Sequence, residues 1–585
     1  MCQYFQMTTG KRYVITLIPV VIVLIGGWRY RWVAEDAYID FRVVHNLLSG
    51  HGPVFNPGER VEAYTDPLWV AILAVFSGLF RFLSIQWWSV ILGLTFTGGG
   101  FWFGGLATAS LASRHSNRDV IPIGLICISV VGGVWMFVTS GLETGLIFGW
   151  LGLSWWLIVR ALMHSNRGIY LTATVVSLGF TIRPDMALFT LTEGAALFVL
   201  LSRNSPIAEG VSARRYISLA FAVLGIPLLS ELFRVAYFGL LVSNTALAKS
   251  ATSVWLGQGE AYFWNFVRPY WLWIPFLILT AVTTVRMRRW WSKGIRLDLV
   301  VLLAPIIGGI LDVAYVVRVG GDFMHARMML PGFFASFMIF WFEEPSEIRS
   351  WLPVVATVIW SLTCLCFLRF TVESIGANRI ANERAVYITA SRNAHPITPT
   401  NYKYDVWENE GRVLERVAAS LSPSKKIMTW APKASPSMST ALQFVPARSH
   451  LPELYYVGYP DIGLLGLAVG DEVYVFDELS LANPIGSHFI LIKRTRPGHE
   501  KSVSLAWMDA RFGIPGVTPA PALTSAREIA AARAALNCEP LSGYLKSIEG
   551  PLTVGRVVSN FEHAFAWTSM SFSSDPIKAQ QQLCG

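Results

Sequence analysis

Charged side chains concentrate in one segment of this chain, residues 32–69, which lies between two apolar stretches. Glu35, Asp36 and Asp40 open the segment, and a helix would place Asp36 and Asp40 on one face because they are one turn apart. Carboxylates placed in this way suit the activation or orientation of a hydroxyl group. Further charged residues of the segment are Arg42, Glu59, Arg60 and Glu62. Because charges are costly beside hydrocarbon, the segment predicts a functional site; the alternative is a solvated connector at the membrane interface.

Basic side chains recur in short polar segments farther along the chain. The segments are SGLET at 140–144, TIRPD at 181–185, SNTALAK at 243–249 and RVGGDFMHAR at 318–327. Guanidinium groups bind phosphoryl oxygens bidentately and lysine adds a point charge, so the segments predict a site for a phosphate head group. The predicted phosphate-binding residues are Arg183, Lys249, Arg318, His325 and Arg327. The predicted supporting residues are Arg42, Glu143, Asp185, Asn244 and Asp322.

Each of these residues also has a plainer interpretation. Arg183 and Asp185 flank Pro184 and could be a charge pair at a helix that ends at the proline. His325 could be a structural hydrogen-bonding residue, and Lys249 could extend its amine from an apolar surface to the interface. The recurrence of such residues on one predicted face of the membrane favours the phosphate site.

The elements that must position these residues are membrane-spanning helices. The chain has 585 residues, of which 53% are hydrophobic and 15% charged, and its apolar stretches approach the roughly 20 residues that cross a bilayer. This composition excludes an ordinary soluble protein. The formal net charge of +9 does not indicate nucleic-acid binding, because much of the basic excess falls in short loops between apolar stretches, where it sets orientation.

The order of apolar stretches and basic loops predicts the topology. The first stretch, 13–28, follows Lys11 and Arg12 and is predicted to be a signal anchor with a cytoplasmic N-terminus. The positive-inside rule then places on the outer face the first loop, 33–66, together with 183–185, 243–265, 318–327 and everything after residue 370. The other predicted spans are 146–163, 170–182, 186–201, 216–240, 266–285, 297–317, 328–342 and 351–370.

Three apolar stretches, 67–82, 87–111 and 120–138, follow the first loop. The predicted topology allows only an even number of crossings in this part of the chain, so the three stretches cannot all be simple spans. We expect one of them to be re-entrant or interfacial, and the glycine-rich stretch 87–111 is the candidate. The sequence therefore predicts a polytopic α-helical membrane protein with about eleven transmembrane helices over residues 1–370, in the plasma membrane.

The composition becomes polar and proline-rich over residues 371–585, which are long enough for one domain. Short apolar runs at 426–430, 472–476 and 489–492 predict strands, and 413–421 and 525–536 predict helices, so the exported region is expected to be an α/β domain. Its only cysteines, Cys538 and Cys584, could form a disulfide in an exported domain, although sequence does not supply the geometry. Cys127, Cys364 and Cys366 lie in apolar runs and are expected to be packing residues.

The motifs together resemble a known family of enzymes. A carboxylate pair just outside the first span of a polytopic protein with an exported C-terminal domain is similar to the GT-C class of glycosyltransferases, which use polyprenyl-phosphate sugars. The first loop, SGLET, RPD, YFGLLVSNTALAK, GGDFMHARMMLP, LANPIGSH and RPGHEK resemble the actinobacterial terminal β-(1→2)-arabinofuranosyltransferase family, arabinofuranosyltransferase B. Glu35 departs from that pattern, in which two aspartates are common, and this makes Asp36 the stronger candidate of the pair.

The resemblance implies a donor, decaprenylphosphoryl arabinose, and acceptors at the ends of arabinan in arabinogalactan and lipoarabinomannan. In this interpretation Asp36 acts at the reaction centre with Asp40 and Glu35 in support, and the cations stabilise charge on the leaving phosphate. A β-linked donor and a β-linked product imply net retention. Retention leaves two routes open: a covalent intermediate on Asp36, or front-side attack assisted by the departing phosphate.

Other interpretations remain open from sequence. Carboxylate oxygens of Glu35, Asp36 and Asp40 could bind a divalent cation, which the sequence does not establish. The same fold could transfer another sugar, such as mannose, from a polyprenyl phosphate. A non-catalytic transporter or scaffold for lipid-linked sugars is a third interpretation, but the charges cluster at one face and no internal repeat is visible, which favours an enzyme.

Overall fold

The protein is known here as a computed structural model that describes residues 9–116, 118–164, 168–203, 213–343, 351–368, 376, 378–404, 406–421, 426–430, 444–517 and 524–585. Helices dominate the described residues. They are α1 (Thr9–Arg29), α2 (Ala37–Leu48), α3 (Pro67–Leu79), α4 (Ile85–Ser113), α5 (Ile123–Ser129), α6 (Gly132–Phe137), α7 (Thr144–Met163), α8 (Ile169–Ser177), α9 (Gly179–Ile182), α10 (Ala187–Arg203), α11 (Ala213–Phe238), α12 (Asn244–Ala248), α13 (Leu256–Val267), α14 (Trp273–Ser292), α15 (Arg296–Val319), α16 (Leu330–Met338), α17 (Leu352–Cys366), α18 (Glu383–Ser391), α19 (Val406–Ala419), α20 (Gly463–Ala468), α21 (Leu505–Phe512), α22 (Ala526–Ala535), α23 (Leu541–Ile548), α24 (Val554–Ser569) and α25 (Pro576–Cys584).

Six short strands complete the regular structure of the described residues. They are β1 (Val120–Ile121), β2 (Phe342–Glu343), β3 (Ile427–Trp430), β4 (Val445–Pro446), β5 (Tyr455–Tyr459) and β6 (Val473–Asp477). β1 and β2 form an antiparallel pair, and the other four form a sheet in the order β4-β3-β5-β6. In that sheet β3, β5 and β6 run parallel, whereas β4 is antiparallel to β3.

In the part of the chain that the structure describes, five helical segments are long and apolar enough to cross a membrane. They are Ile85–Ser113, Thr144–Met163, Pro184–Ser202, Ala213–Phe238 and Arg296–Val319. Four shorter apolar segments, including Ile15–Arg29 of α1, fall below that length. The protein is therefore a largely helical membrane protein, and the predicted number of about eleven crossings stays a prediction.

The structure corrects the prediction for the glycine-rich stretch 87–111. This stretch lies in α4, one continuous helix of 29 residues. Its glycines bring helices together instead of interrupting the chain: a Cβ at Gly100 would overlap the backbone oxygen of Phe148 in α7, and a Cβ at Gly152 would overlap the backbone of Gly100. The interrupted stretch is 120–138, which forms β1, α5 and α6.

The chain forms two compact units. The first comprises Met1–Val33, Trp87–Leu228 and Val254–Ala385, and the second comprises Ala34–Gln86, Leu229–Ser253 and Val386–Gly585. The second unit thus contains the first predicted outer loop together with most of the C-terminal region. The predicted domain boundary after residue 370 lies outside the described residues and stays a prediction.

The second unit has an α/β core, as the sequence predicts. The predicted strands 426–430 and 472–476 correspond to β3 and β6, and the predicted helices 413–421 and 525–536 correspond to α19 and α22. The predicted strand 489–492 is wrong, because Phe489 makes only an isolated bridge with Phe572. Sequence analysis missed β5, which is buried along its whole length, because a strand buried on both faces shows no alternation of polar and apolar residues.

A disulfide joins Cys538, just beyond α22, to Cys584 at the end of α25 and closes a loop of 46 residues. We expect the double variant Cys538→Ser with Cys584→Ser to have a lower free energy of unfolding, by about 2–4 kcal/mol, because the unfolded chain gains the freedom of that loop. Chemical unfolding of the purified chain in detergent measures the difference. Cys366→Ser, which removes an exposed free thiol, is the control. Unchanged unfolding of the wild type under reducing conditions would contradict this expectation.

Candidate active site

The carboxylates that open the first loop lie at the start of α2 in the second unit. Asp36 is the residue before the first turn of α2 and is half-buried, whereas Asp40 lies in that turn and is buried. Asp36 and Asp40 are thus one turn apart on a helix, as predicted. Of these two aspartates, Asp36 is the one accessible enough to contact a substrate without movement of the helix.

The Glu35 side chain connects the first loop to the C-terminal part of the second unit. Its Oε1 accepts a hydrogen bond of 2.9 Å from the backbone N–H of Leu464, at the start of α20. Burial raises the pKa of Glu35 well above its usual range, and the neighbouring Asp461 and Asp36 raise it further. Glu35 therefore has a positioning role for the neighbouring Asp36. Its Oε1 is already hydrogen-bonded to the backbone N–H of Leu464.

Gly463 is required for this attachment. A Cβ at Gly463 would overlap both the backbone oxygen and the carboxyl oxygen of Glu35. We therefore expect Gly463→Ala to displace Asp36 and to lower kcat for sugar transfer at least about tenfold, since displacements of about 1 Å can cost more than this. Turnover by purified protein measures the effect. Gly555→Ala in α24 is the control, because a Cβ there has its nearest neighbour at 4.0 Å. Normal turnover by Gly463→Ala would show that the loop tolerates the displacement.

Arg42 is a second attachment of α2. Its guanidinium donates hydrogen bonds to the backbone oxygens of Phe55 (2.8 Å) and Val473 (2.8 Å), and also to that of Gly466. Phe55 belongs to the first loop, whereas Gly466 and Val473 belong to α20 and β6. Arg42 therefore holds α2 against the C-terminal part of the unit, and its predicted supporting role is structural.

Two groups from the C-terminal part of the unit, Asp461 and His499, lie within electrostatic range of Asp36, and a third, Arg496, is a neighbour of both. Asp461 follows β5 by two residues, and Arg496 and His499 belong to the RPGHEK segment. Burial raises the pKa of Asp461, Arg496 lowers it, and Asp36 raises it. Burial and Arg496 lower the pKa of His499 to about 4, and Asp36 opposes them. Asp36 therefore lies within electrostatic range of an acid and of an imidazole that is neutral at neutral pH, and a guanidinium acts on both of these groups.

Lys249 belongs to the same cluster. Its side chain packs on Gly498, where a Cβ would lie 3.3 Å from the Lys249 Cε, and Gly498 has a φ of +80° that favours glycine. Lys249 also lowers the pKa of His499, to a smaller extent than burial and Arg496 do. The amine of Lys249 is half-buried and lies beside the RPGHEK segment.

Asn244 holds the helix that carries Lys249. The Asn244 side-chain amide donates to the backbone oxygens of Ser480 (3.0 Å) and Leu481 (2.8 Å). In the RPGHEK segment, the buried Lys501 donates to the backbone oxygens of Leu247 and Ser487, both at 2.7 Å. Asn244 and Lys501 therefore connect α12 to the segments that contain the LANPIGSH and RPGHEK motifs. Both residues have a positioning role.

Two of the predicted phosphate-binding arginines, Arg183 and Arg327, lie in the first unit in a buried network of ion pairs. Arg183 binds Asp185 through two hydrogen bonds of 2.7 Å and Glu143 through one of 2.9 Å. Arg327 pairs with Glu143 at 3.2 Å and with Asp322 at 3.7 Å. Two guanidinium groups thus face three carboxylates, a formal charge of −1, which does not attract a phosphate. The charge-pair interpretation of Arg183 and Asp185 fits this geometry.

His325 is also occupied inside the first unit. Its Nδ1 donates to Asn265 Oδ1 at 2.7 Å, and its Nε2 accepts from the Tyr270 hydroxyl at 3.1 Å. Burial lowers the pKa of His325 to about 3, so the imidazole carries no charge that would attract phosphate. Arg318, in contrast, is exposed at the end of α15, and its phosphate-binding role stays a prediction.

The structure thus brings together Glu35, Asp36 and Lys249 in the second unit, and Glu143, Arg183, Asp185, Asp322 and Arg327 in the first. Sequence analysis missed Asp461, Arg496 and His499 as site residues. Asp461 follows the carboxyl end of a parallel strand, the edge at which α/β sheets bind ligands. Recognition of β5 in the sequence would therefore have identified Asp461 as a candidate. In the described part of the chain, no three His, Cys, Asp or Glu side chains form a group that could hold a metal ion.

Comparison with known proteins identifies the family. Residues 408–582 match the AftB family C-terminal domain. The chain is 31% identical to a terminal beta-(1->2)-arabinofuranosyltransferase of Mycobacterium tuberculosis, over 94% of each chain. It is 27% identical to the protein of the same name from Corynebacterium glutamicum, over 92% of this chain and 83% of the relative. No solved structure matches the chain significantly. The chain therefore belongs to the terminal β-(1→2)-arabinofuranosyltransferase family of glycosyltransferases.

Proposed function

We propose that this enzyme transfers arabinofuranose from decaprenylphosphoryl arabinose to the ends of cell-wall arabinan, in arabinogalactan and lipoarabinomannan, and forms β-(1→2) linkages. The observation that carries the proposal is the half-buried Asp36 within electrostatic range of Asp461 and His499, two groups that also have Arg496 as a neighbour. Lys249 packs on Gly498, next to His499. Such a cluster offers both signs of charge at one accessible place. The family name of the relatives supports the sugar and the linkage.

The charges of the cluster suit the two halves of the reaction. Asp36 acts at the anomeric carbon of the donor, where positive charge develops as the bond to phosphate breaks. Lys249 and Arg496 stabilise the negative charge that grows on the departing phosphate. In this proposal they take the place predicted for Arg183 and Arg327, whose guanidinium groups are bound to carboxylates. Arg318 lies in the first unit, and its predicted phosphate contact stays a prediction.

Net retention requires either two displacements or a front-side attack. In the first route an Asp36 oxygen bonds to the anomeric carbon as the phosphate leaves, and the acceptor hydroxyl then displaces Asp36. In the second route the departing phosphate takes the proton of the incoming hydroxyl. His499 suits the second displacement, because its Nδ1 donates to the Pro497 oxygen at 3.1 Å and the neutral tautomer then keeps a lone pair on Nε2 to accept the hydroxyl proton.

The proposed setting is the plasma membrane, with a cytoplasmic N-terminus, about eleven crossings, and the first loop and the C-terminal domain on the outer face. The lipid donor would then reach the site from the bilayer, and the arabinan would reach it from outside the cell. The positive-inside distribution of basic loops supports this orientation. No nucleic acid takes part.

The test uses the purified full-length protein, decaprenylphosphoryl arabinose and a defined arabinan oligosaccharide. We expect release of decaprenyl phosphate and addition of one arabinofuranose, with a β-(1→2) linkage in the NMR spectrum of the product. Transfer of mannose from decaprenylphosphoryl mannose with no use of the arabinose donor would overturn the assigned sugar. Tight binding of the donor without transfer would favour the transporter or scaffold interpretation.

A further inference from the structure

One side of α24 is an exposed apolar stripe. Its members are Val554, Val558, Phe561 and Phe565, with exposed fractions of 83%, 51%, 45% and 75%. Because they follow one another at intervals of four, three and four residues, they fall within roughly 60° of the helix circumference. Single exposed apolar residues are ordinary, whereas an aligned patch of large ones marks an interaction surface. The apolar stripe therefore calls for a partner.

The other sides of α24 have different chemistry. One side packs into the second unit through Asn560, Ala564 and Trp567, all of which are buried. The remaining side is exposed and carries Glu562 and His563. α24 thus has a packed side, the apolar stripe and a polar side. This division is typical of a helix that rests on its own protein, on a lipid surface and in water at the same time.

α24 is attached to the end of a membrane span. The Asn560 side-chain amide donates a hydrogen bond of 2.8 Å to the backbone oxygen of Ala236, in the last turn of α11. The backbone N–H of Leu241 donates to the Thr568 hydroxyl, also at 2.8 Å. All four residues belong to the second unit. The middle and the C-terminal end of α24 are therefore held at the point where α11 ends.

α11 presents apolar side chains to its surroundings up to this attachment. It is long and apolar enough to cross a membrane, and 11% of its most apolar 18 residues are buried inside the protein. Leu229, Leu232 and Phe233 are 67%, 52% and 51% exposed in the two turns before Ala236. The lipid that surrounds α11 thus reaches to within about one helical turn, roughly 5 Å, of the α24 attachment. Interfacial helices bury their apolar side at about this distance from the acyl chains.

The side chains of α24 indicate a lipid surface without a preferred head group. Its sequence contains one Arg and no Lys, so it lacks the cationic side that attracts anionic lipids. The Arg556 guanidinium is also bound to the chain, because it donates to the backbone oxygens of Glu549 (2.6 Å) and Pro551 (2.7 Å). The contact would therefore depend on apolar burial.

We propose that the apolar stripe of α24 lies in the outer lipid interface, at the boundary of head groups and acyl chains, and rests the second unit on the bilayer beside α11. The predicted topology places the end of α11 at the outer surface. Because Asp36 belongs to the same unit, the contact would also fix the height of the candidate active site above the hydrocarbon layer. The proposal does not depend on the sugar that is transferred.

The test measures the depth of nitroxide labels on α24 in the full-length protein, in phosphatidylcholine nanodiscs. Val558→Cys places a label on the apolar stripe, and His563→Cys places the matched control on the polar side, both with Cys2→Ser and Cys366→Ser. Oxygen concentrates in hydrocarbon and a nickel chelate in water, so the ratio of their collision rates reports depth. We expect this ratio to be at least about threefold higher for Val558→Cys. Equal ratios would overturn the proposal.

A second comparison adds a charge to α24 in the labelled Val558→Cys protein. Phe565→Asp places a carboxylate on the apolar stripe, where burial against lipid would be costly. Ala566→Asp is the matched control, because it places the same group on the next, exposed residue, outside the stripe. We expect Phe565→Asp to raise the collision rate with the nickel chelate at least about twofold, and Ala566→Asp to leave it unchanged. An unchanged rate in Phe565→Asp would contradict a lipid contact.

The labels also distinguish lipid from a second copy of the chain. A Val558→Cys label that is shielded from both oxygen and nickel, with spin–spin coupling between two copies, would assign the apolar stripe to a protein interface and overturn the proposal. The measurement uses no substrate. A lipid-buried label in a protein that transfers no arabinofuranose would therefore support this inference and reject the proposed function, whereas a water-exposed label in an active enzyme would do the reverse.

Discussion

Asp36→Asn is expected to lower arabinofuranosyl transfer at least about 1,000-fold, which corresponds to about 4 kcal/mol of transition-state stabilisation. Asparagine keeps the size of the side chain and removes the negative charge that faces the anomeric carbon. Asp36 is half-buried at the start of α2, so the amide should fit without loss of folding. Turnover of the lipid-linked donor by purified protein measures the effect.

Asp471→Asn is the matched control for this variant. Asp471 belongs to the same unit and is an accessible carboxylate that pairs with His45 at 3.0 Å. We expect its turnover to stay within about twofold of wild type. If Asp36→Asn turned over normally with an unchanged thermal melting profile, Asp36 would have no part in the chemistry.

Asp36→Gly with added azide distinguishes the two routes to retention. If Asp36 forms a covalent intermediate, azide can occupy the space of the missing carboxylate and give an arabinofuranosyl azide of inverted configuration. A front-side mechanism would give no such product. The NMR spectrum of the azide adduct reports the configuration directly.

Glu143→Gln has the second large expected effect, on folding stability. Glu143 is 1% exposed and lies between the guanidinium groups of Arg183 and Arg327. Burial would raise its pKa, but Arg327 and Arg183 lower it to about 2, so the carboxylate is charged at neutral pH. The amide would leave two buried cations with less compensation, which typically costs 3–5 kcal/mol. Thermal unfolding in detergent, followed by tryptophan fluorescence, measures the loss.

The pH dependence of unfolding gives a second readout for Glu143. Because the pKa of Glu143 is lower in the folded state than its ordinary value, its contribution to stability is present above the ordinary pKa and is lost as pH falls toward about 2. Glu143→Gln should lack this component. Glu260→Gln, which changes an exposed carboxylate of α13, is the control and should melt like wild type. A stable Glu143→Gln protein with weaker donor binding would instead support a phosphate role for the two arginines.

Local sequence patterns predicted the helices and strands of this protein better than they predicted the interaction partners of its charged side chains. The helical spacing of Asp36 and Asp40 and the apolar run of α7 depend on neighbouring residues, so the sequence reveals them. The role of Glu35 depends on Leu464, 429 residues later in the chain, and no local pattern contains that contact. For the same reason, a basic residue such as Arg327 could be assigned to a phosphate until its partner Glu143, 184 residues earlier in the chain, was known.

Glycine in α4 illustrates a different limit. A run of glycines predicts a weak helix from local propensity, yet close packing against α7 overrides that preference, because only glycine permits the backbones to touch. The missed residues Asp461, Arg496 and His499 show the same dependence on tertiary structure. The RPGHEK motif was visible in the sequence, but the proximity of Asp461 and His499 to Asp36 became apparent only from the fold.

The assembly of the second unit from three distant chain segments has a consequence for biosynthesis. The first loop leaves the ribosome early, whereas Leu464, which binds Glu35, is translated 429 residues later. At 5–20 residues per second, this interval lasts roughly 20 to 90 s. In the predicted topology, the nascent loop would therefore wait on the far side of the translocon without its partner. A truncated transcript that ends before residue 463 would then yield an inserted but inactive polypeptide, so the cell acquires activity only when translation is nearly complete.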